Sequence, residues 1–281
     1  MTASGVGLRR VLQLLGQGEA IVEGTVVASG EGAPLPVGHR VVWRPGHALE
    51  GGIGLPHLDG ALERGASAAF AGELPVESCF DDQGRALTMR RRSHGAEVAP
   101  RTLEVAWLPH LPDERLIIFG AGHVAVPLCT LAATVGYTVT VVDDRARFAS
   151  PDRFPLAAEV MVRDFVEAVA AVGMTPWTNV VLVTRGHEHD ETCLAQVAAS
   201  PARYVGMIGS RRRVKVVYDR LRDAGVPPEA LDRVHAPIGL DLGGRSPAEI
   251  ALAIISEIVA VRRGGNGHRL SNARLRVVEA G

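Results

Sequence analysis

The feature of this sequence that most constrains its fold is an apolar strand that leads through a glycine turn into a helix. Residues 116–125 read LIIFGAGHVA, in which Gly120 permits a tight turn and Gly122 lets the backbone approach a phosphate at the helix N-terminus. Ala125 is small enough for the helix to pack closely on the strand. Asp143 follows roughly 20 residues after the turn, where dinucleotide-binding domains read a ribose hydroxyl. The segment predicts a Rossmann-like domain.

Short apolar strands alternate with helices through residues 113–281. The predicted strands are 116–119, 138–142, 159–162, 180–184 and 204–208, and the predicted helices are 124–135, 165–172, 191–199 and 213–224. Parallel strands need such crossover helices, and right-handed crossovers arrange them as a doubly wound sheet. A last helix begins at Ser246, with Glu249 completing a capping box, and its apolar body predicts burial against the sheet or a second copy of the chain. We therefore predict an α/β fold whose C-terminal domain, 113–281, is a Rossmann-like doubly wound parallel sheet.

Residues 1–112 are of a different kind, rich in glycine and in alternating extended stretches. Strands are predicted at 21–28, 39–43, 76–80 and 103–108, and one helix at 58–70. This pattern predicts a smaller N-terminal α+β domain with a partly antiparallel sheet. The two prolines of LPHLPDE, residues 108–114, indicate a linker between the domains.

The composition excludes several classes of protein. A formal net charge of −1 excludes a dominant electrostatic attraction to nucleic acid or to an anionic membrane. No apolar run approaches the roughly 18–20 residues of a membrane span, and the N-terminus lacks the apolar core and cleavage site of a secretory signal. The three cysteines, Cys79, Cys129 and Cys193, form no CxxC pair and fit a reducing compartment. We expect a cytoplasmic protein with no nucleic-acid partner and no stable membrane insertion.

Three histidines are predicted to face the crevice where the strand order of the sheet reverses. His123 follows the first strand of the domain, and His187 and His189 follow the fourth, in an extended loop that reads RGHEHD. In the order 3-2-1-4-5 the first and fourth strands are neighbours, and ligands bind between them. These histidines and Asp190 then contact a cofactor or a metal; alternatively, His123 and Asp190 cap helices. Because no third protein ligand has a known position, we predict cofactor contacts and no resident metal.

A third motif, YVGMIGSRRR at residues 204–213, combines a strand-to-helix turn with three arginines. Gly209 and Ser210 form the turn, and Arg211 opens the cationic run. The helix dipole disfavours cations at a helix N-terminus, so the run favours a cradle for an anionic or phosphate ligand over a solvated helix start. A fourth segment, residues 237–244, alternates apolar residues with glycine and predicts a turn without an assignable chemical role.

Together these segments resemble the xanthine dehydrogenase accessory family (XdhC/CoxI/CoxF). The resemblance extends from about residue 116 to residue 263 and is carried, in the family's order, by FGAGHVA, VTVVDDRARFASPDRFP, LVTRGHEHDE, YVGMIGSRRR and HAPIGLDLGGRSPAEIALAIISEI. It implies a maturation factor that binds the molybdenum cofactor (molybdopterin) as cargo, protects it during sulfuration, and hands it to a molybdenum hydroxylase of the xanthine or carbon-monoxide dehydrogenase type. The compact length and the RGHEHD wording favour the CoxF-type group.

The N-terminal domain departs from the family's pattern. Where the family shows GGGC(V/L)E, this chain has GGIGLPHL at residues 51–58, and SHGAEVAPRTLEV at residues 93–105 replaces a later cysteine-containing glycine block. The thiols associated with holding the cofactor therefore have no counterpart. Either other groups hold the cofactor, or this member has a changed task such as metal or sulfur handling. If it handles the cofactor, the edge of the parallel sheet must carry more of the binding.

Two enzymatic alternatives compete with a non-catalytic maturation factor. The glycine turn and Asp143 fit an NAD(P)-dependent oxidoreductase, with Arg145 as an alternative contact for a 2′-phosphate. The other is a nucleotide-using enzyme that acts on the cofactor, with GSRRR holding a phosphate. No catalytic triad, P-loop or HExxH motif is present, so the sequence names no catalytic residue. The partners expected are a molybdenum hydroxylase client, a sulfur-transfer enzyme and, from the apolar last helix, a second copy in a homodimer.

Overall fold

The computed structural model describes residues 5–17, 19–72, 77–87, 98–185, 187–269 and 271. The chain divides into two units, Met1–Pro112 and Asp113–Gly281. Within the described ranges, no helix combines the length and the apolar character needed to cross a membrane.

The first unit is built on an antiparallel sheet. Its strands are β1 (Ile21–Ser29), β2 (Arg40–Trp43), β3 (Glu77–Asp81), β4 (Ala86–Leu87) and β5 (Thr102–His110), and its helices are α1 (Leu8–Gly16) and α2 (Pro56–Phe70). The strand order is β2-β1-β5-β3-β4, and the paired strands are antiparallel. This confirms the predicted α+β character, and β4 is a strand that the sequence did not predict. Residue 76, the predicted start of β3, lies outside the described residues.

A tryptophan sets the distance between α2 and the sheet of the first unit. Trp107 of β5 lies between Gly24 of β1 and Gly65 of α2, where an added Cβ would be 2.3 Å and 2.6 Å from the indole ring, respectively. The indole Nε1 donates a hydrogen bond to Ser78 Oγ at 2.9 Å. The buried residues of α2 are leucines and alanines: Leu58, Ala61, Leu62, Ala66 and Ala69.

The second unit is a parallel sheet. Its strands are β6 (Arg115–Phe119), β7 (Thr138–Asp143), β8 (Glu159–Val162), β9 (Thr178–Leu182) and β10 (Tyr204–Met207), in the order β10-β9-β6-β7-β8. Its helices are α3 (Ala125–Thr134), α4 (Phe165–Val172), α5 (His187–Val197), α6 (Arg211–Asp223), α7 (Pro228–Asp232) and α8 (Pro247–Arg263). The strand pairs are parallel, and the order reverses between β6 and β9. This confirms the predicted Rossmann-like doubly wound sheet.

Alternation along the strands divides the core of the second unit into two layers. In β6, Leu116 and Ile118 face one layer, and Ile117 and Phe119 face the other. Helices α3 and α8 cover the first layer, and α4, α5 and α6 cover the second. Because both faces are covered, the strands read as apolar runs in the sequence.

Helix α8 begins with the predicted capping box. Ser246 Oγ accepts the N–H of Glu249 at 3.3 Å, and the Glu249 carboxylate accepts the N–H of Ser246 at 2.8 Å and of Arg245 at 2.9 Å. The bonds from Ser246 and Arg245 lower the pKa of Glu249 to about 2. The stability that this carboxylate contributes is therefore present above its usual pKa of 4.5 and is lost as the pH falls towards 2. Helix α8 is buried along one face, with Leu252 exposed on another.

Replacing Ser246 with alanine is expected to lower the free energy of unfolding by about 1 kcal/mol, because the N–H of Glu249 loses its acceptor. Urea denaturation followed by circular dichroism measures the change. Ser256→Ala is the matched control, because Ser256 lies in the interior of the same helix, where alanine is the better helix former. Equal losses in the two variants would contradict the capping role of Ser246.

Candidate functional site at the carboxyl edge of the parallel sheet

The glycine turn lies where the carboxyl ends of β6 and β9 meet, at the reversal of strand order. Gly120 has a φ of +106°, and an added Cβ would lie 2.5 Å from the carbonyl oxygen of Val183. The N–H of Gly120 donates to the carbonyl of Val142 at 2.7 Å. The turn after β6 is thus pressed against the chain that leaves β9, an approach that requires glycine.

Charged side chains hold this turn from both sides. Asp143 is 1% exposed, and its Oδ2 accepts the N–H of Ala121 at 2.8 Å. The guanidinium of Arg145 forms two hydrogen bonds to the same carboxylate, from Nε to Oδ1 at 2.8 Å and from Nη2 to Oδ2 at 2.9 Å. On the other side, Nη1 of Arg153 donates to the carbonyl of Ala121 at 2.9 Å. In the sequence, Asp143 and Arg145 are candidate contacts for a dinucleotide. In the structure they bond to each other, and Asp143 also bonds to the turn.

The Asp143–Arg145 pair is charged at neutral pH. Burial of the Asp143 carboxyl raises its pKa, but the hydrogen bonds from Arg145 and Ala121 outweigh that effect, and the net pKa lies below its usual value. The hydrogen bond to Asp143 in turn raises the pKa of Arg145. The guanidinium also stacks over the ring of Phe148, 3.8 Å from its centre. The arginine is thus fixed by both its carboxylate partner and an aromatic ring.

Gly122, the second glycine of this turn, lies next to open space. An added Cβ on Gly122 meets nothing within 4 Å. His123 follows in an exposed turn that leads into α3. A ligand can therefore reach the N-terminal end of α3 at these two residues.

An ion pair crosses the crevice. Arg185 follows β9 and Asp144 follows β7, on the two sides of β6, and Nη2 of Arg185 lies 2.7 Å from Oδ2 of Asp144. Both side chains are partly exposed. An anionic ligand that binds Arg185 must therefore compete with Asp144.

Helix α5 begins at His187, four residues before the predicted start at residue 191. His187 and His189 therefore both lie in the first turn of a helix. The prediction of an extended loop at these two residues is wrong. The ring of His189 packs edge-on against Phe165, with 5.2 Å between the ring centres. The side chain of His187 lies outside the described part of the chain.

A buried aspartate accounts for the helical turn that the sequence pattern missed. Asp190 is fully buried in the first turn of α5. Its carboxylate accepts hydrogen bonds from Oγ1 of Thr184, just after β9, and from Nη2 of Arg213 on α6. Because this carboxylate stands where helix periodicity requires an apolar residue, the turn reads as a polar loop. Asp190 ties β9 to α6 and positions Arg213.

The segment that the sequence predicts as an anion cradle lies at the N-terminus of α6. Ser210 caps the helix, and its Oγ accepts the N–H of Arg213 at 3.2 Å. Gly209 precedes this cap, and Arg211 lies exposed after it. A groove of about 350 Å³ runs along one side of α6, lined by Ser210, Arg212, Arg213, Val216, Val217 and Arg220. Arg220 is not among the candidate site residues that the sequence predicts. Its spacing of seven residues from Arg213 places both arginines on one face of the helix, and this spacing could have identified it.

The described part of the second unit also contains two cysteines and other side chains of the types that can hold a metal ion. Among the described residues, no three His, Cys, Asp or Glu side chains lie close enough together to hold a metal ion. Burial raises the pKa of the Cys129 thiol to about 11 and, with nearby Asp190 and Asp164, that of Cys193 to about 12. Both thiols stay protonated at neutral pH and are poor nucleophiles.

In the first unit, the segment that departs from the family pattern forms a loop before α2. Asp59, in the first turn of α2, accepts the N–H of Ile53 at 3.0 Å and of Gly54 at 2.8 Å. Ile53 is partly buried against the apolar core of its unit. The loop is therefore closed by Asp59, with an apolar side chain at its centre. Residues 93–97 of the second departing segment lie outside the described residues.

The family model that matches this chain lies within the second unit. Residues 116–258, just over half of the chain, match the family model of the XdhC Rossmann domain. The chain is 31% identical over 175 residues to a probable xanthine dehydrogenase subunit of Bacillus subtilis (strain 168), covering 58% of this chain and 51% of that protein. It is 24% identical over 153 residues to the molybdenum cofactor insertion chaperone PaoD of Escherichia coli (strain K12), covering 54% of this chain and 41% of that protein. The matches thus span about half the length of these relatives or less.

A solved structure shares the fold over nearly the whole chain. The crystal structure of a xanthine dehydrogenase from Bacillus halodurans has a TM-score of 0.51 and 19% identity, over 94% of this chain and 97% of that one. The segment that matches the family model begins in β6 and includes the glycine turn, the Asp143 and Asp190 anchors and the Ser210 cap. The resemblance seen in the sequence is confirmed: the chain belongs to the XdhC family, and its second unit contains the family's Rossmann domain.

Proposed function

We propose that this chain is a non-catalytic maturation factor that binds the molybdenum cofactor and assists its sulfuration or insertion into a molybdenum hydroxylase. The observation that carries the proposal is the arginine-lined groove at the N-terminus of α6, on the same sheet edge as the open turn at Gly122. A phosphate-bearing cofactor suits this edge, because helix N-termini and guanidinium groups both bind phosphate. A relative whose name describes a molybdenum cofactor insertion chaperone supports the same role.

The candidate residues divide by their task in this proposal. Those at the N-termini of α3, α5 and α6 contact the cargo: Gly122, His123, His187, His189, Gly209, Ser210 and Arg211. The others hold these contacts in place, because they are buried or enclosed by backbone: Gly120, Asp143 and Asp190.

The dinucleotide alternative lacks comparable support. Both oxygens of Asp143 accept hydrogen bonds within the protein, and Arg145 supplies three of them, one from its backbone N–H and two from its guanidinium. A ribose hydroxyl or a 2′-phosphate would have to break this enclosed ion pair to reach either residue. We therefore do not propose an NAD(P)-dependent oxidoreductase.

The proposal includes two partners. The client is a molybdenum hydroxylase of the xanthine or carbon-monoxide dehydrogenase type. Because Cys129 and Cys193 stay protonated, the sulfur for sulfuration comes from a sulfur-transfer enzyme rather than from these thiols. The CoxF-type assignment, the homodimer and the cytoplasmic location stay predictions.

The proposal is tested by producing the chain in cells that make the cofactor and measuring the molybdopterin that co-purifies with it. Gly122→Leu is expected to reduce the retained molybdopterin roughly ten-fold, since leucine fills the open space in front of α3. Gly7→Leu is the matched control, because an added Cβ at Gly7 also meets nothing within 4 Å. The proposal fails if the unaltered chain retains no molybdopterin and the hydroxylase matures equally well without it.

A further inference from the structure

The groove along α6 combines an apolar wall with three arginines. Its described lining follows one side of the helix for about three turns, from Ser210 to Arg220. Val217 is buried, and Val216 is 43% exposed beside it. The volume of about 350 Å³ lies at the lower end of the range for small-molecule sites, roughly 300–1,000 Å³. The groove is therefore large enough for a compact organic ligand.

The arginines of the groove outnumber their carboxylate partners. Arg213 donates to buried Asp190, and Nη1 of Arg220 lies 3.1 Å from Oε2 of Glu191. The side chain of Arg212 has no ion-pair or hydrogen-bond partner in the part of the chain that the structure describes. The described groove thus carries an excess positive charge at a helix end whose dipole is also positive.

The groove is preorganised for an anion. Asp190 holds Arg213 and is itself fixed by Thr184, so the guanidinium is set in place before a ligand arrives. Nε of Arg213 is buried and has no acceptor among the described residues. Ser210 Oγ accepts the N–H of Arg213, which leaves its own O–H able to donate. An anionic oxygen in the groove can accept hydrogen bonds from the Ser210 hydroxyl and from the exposed part of the Arg213 guanidinium.

We infer that the groove binds a phosphate ester. Arg212, Arg213 and Ser210 hold the phosphate at the end of the groove next to the N-terminus of α6. This inference rests on the proposed function, because Ser210 is a contact residue in the groove and in the proposed cofactor site. It adds that α6 recognises the phosphate-bearing end of the ligand. The phosphate of the cofactor and that of a nucleotide have this same chemistry.

Calorimetric titration of the full chain with pyrophosphate tests the groove without any cofactor. The unaltered chain is expected to bind, and Arg212→Gln to bind roughly ten-fold more weakly, because one charged contact is lost. Lys215→Gln is the control, since Lys215 is exposed on the same helix but does not line the groove. It removes the same charge and is expected to change the affinity by about two-fold or less. Equal weakening in both variants, or no binding by the unaltered chain, would overturn the inference.

A second variant tests the apolar wall, and a second ligand identifies the source of the phosphate. Val216→Glu places a carboxylate in the groove and is expected to abolish pyrophosphate binding; unchanged binding overturns the inference. AMP that binds roughly ten-fold more tightly than methyl phosphate assigns the groove to a nucleotide. Equal binding of AMP and methyl phosphate shows that the groove recognises the phosphate group alone. The groove is then assigned to the phosphate of the cofactor, whose organic part lies elsewhere on the sheet edge.

Failure of this inference and failure of the proposed function give different results. If the chain retains molybdopterin while Arg212→Gln binds pyrophosphate normally, the inference falls and the function stands. If pyrophosphate binding depends on Arg212 but no molybdopterin is retained and no client needs the chain, the function falls and the anion groove stands.

Discussion

Replacing Gly120 with alanine is expected to lower the free energy of unfolding of the second unit by about 3 kcal/mol or more. The residue has a φ of +106°, which costs an alanine on the order of 1–3 kcal/mol. The added Cβ would also lie 2.5 Å from the carbonyl oxygen and 2.8 Å from the carbonyl carbon of Val183. Neither contact is relieved by turning a side chain, because both atoms belong to the backbone. The turn or the end of β9 must therefore move.

The matched control for this substitution stands two residues away. Gly122 has no positive φ, and a Cβ there meets nothing within 4 Å, so Gly122→Ala is expected to change stability by about 0.5 kcal/mol or less. Urea denaturation, with amide exchange of the β6 and β9 peptides as the local readout, measures both variants. Equal stability of the two would show that the close approach of the β6 turn to β9 is not what requires glycine.

The parallel sheet was predictable because its strands are covered on both faces. Buried parallel strands leave apolar runs bounded by polar turns, and this signal placed β8 at Glu159–Val162 and the helix α4 at Phe165–Val172, as the structure has them. The capping box of α8 was predictable for a different reason, since Ser246 and Glu249 act through local backbone bonds. β4, a strand of two exposed residues, has no apolar pattern and left no signal.

The candidate site was predictable by location and not by the roles of its charged residues. Sequence places Asp143 at the end of a strand, but it does not show that Arg145 turns back to bond that carboxylate. Likewise, the pattern around Asp190 reads as a polar loop because the partners of this buried carboxylate, Thr184 and Arg213, come from other elements. Buried ion pairs depend on tertiary contacts, which periodicity does not encode.

Replacing Asp143 with alanine is expected to lower the free energy of unfolding at neutral pH by about 3 kcal/mol, since it leaves a guanidinium and two backbone N–H groups without their buried acceptor. Asp144→Ala is the matched control, because Asp144 is the neighbouring residue and its ion pair with Arg185 is partly exposed. That pair is worth about 1 kcal/mol at most. Urea denaturation of both variants measures the difference, and equal losses would contradict the structural role of Asp143.

The pH dependence of the Asp143 variant separates loss of charge from loss of packing. The pKa of Asp143 is lowered below its usual value of 3.8 in the folded chain, so the ionised carboxylate contributes its full stability above that pH. As the pH falls below 3.8 the carboxyl of the unfolded chain takes up a proton first, and the contribution is fully lost once the pH has also passed the lower pKa of the folded chain. The stability difference between the unaltered chain and Asp143→Ala should therefore be constant near neutral pH and shrink in acid. A difference that stays constant down to acid pH would mean that the side chain acts through its volume, and the ion pair with Arg145 would then not be what holds the glycine turn.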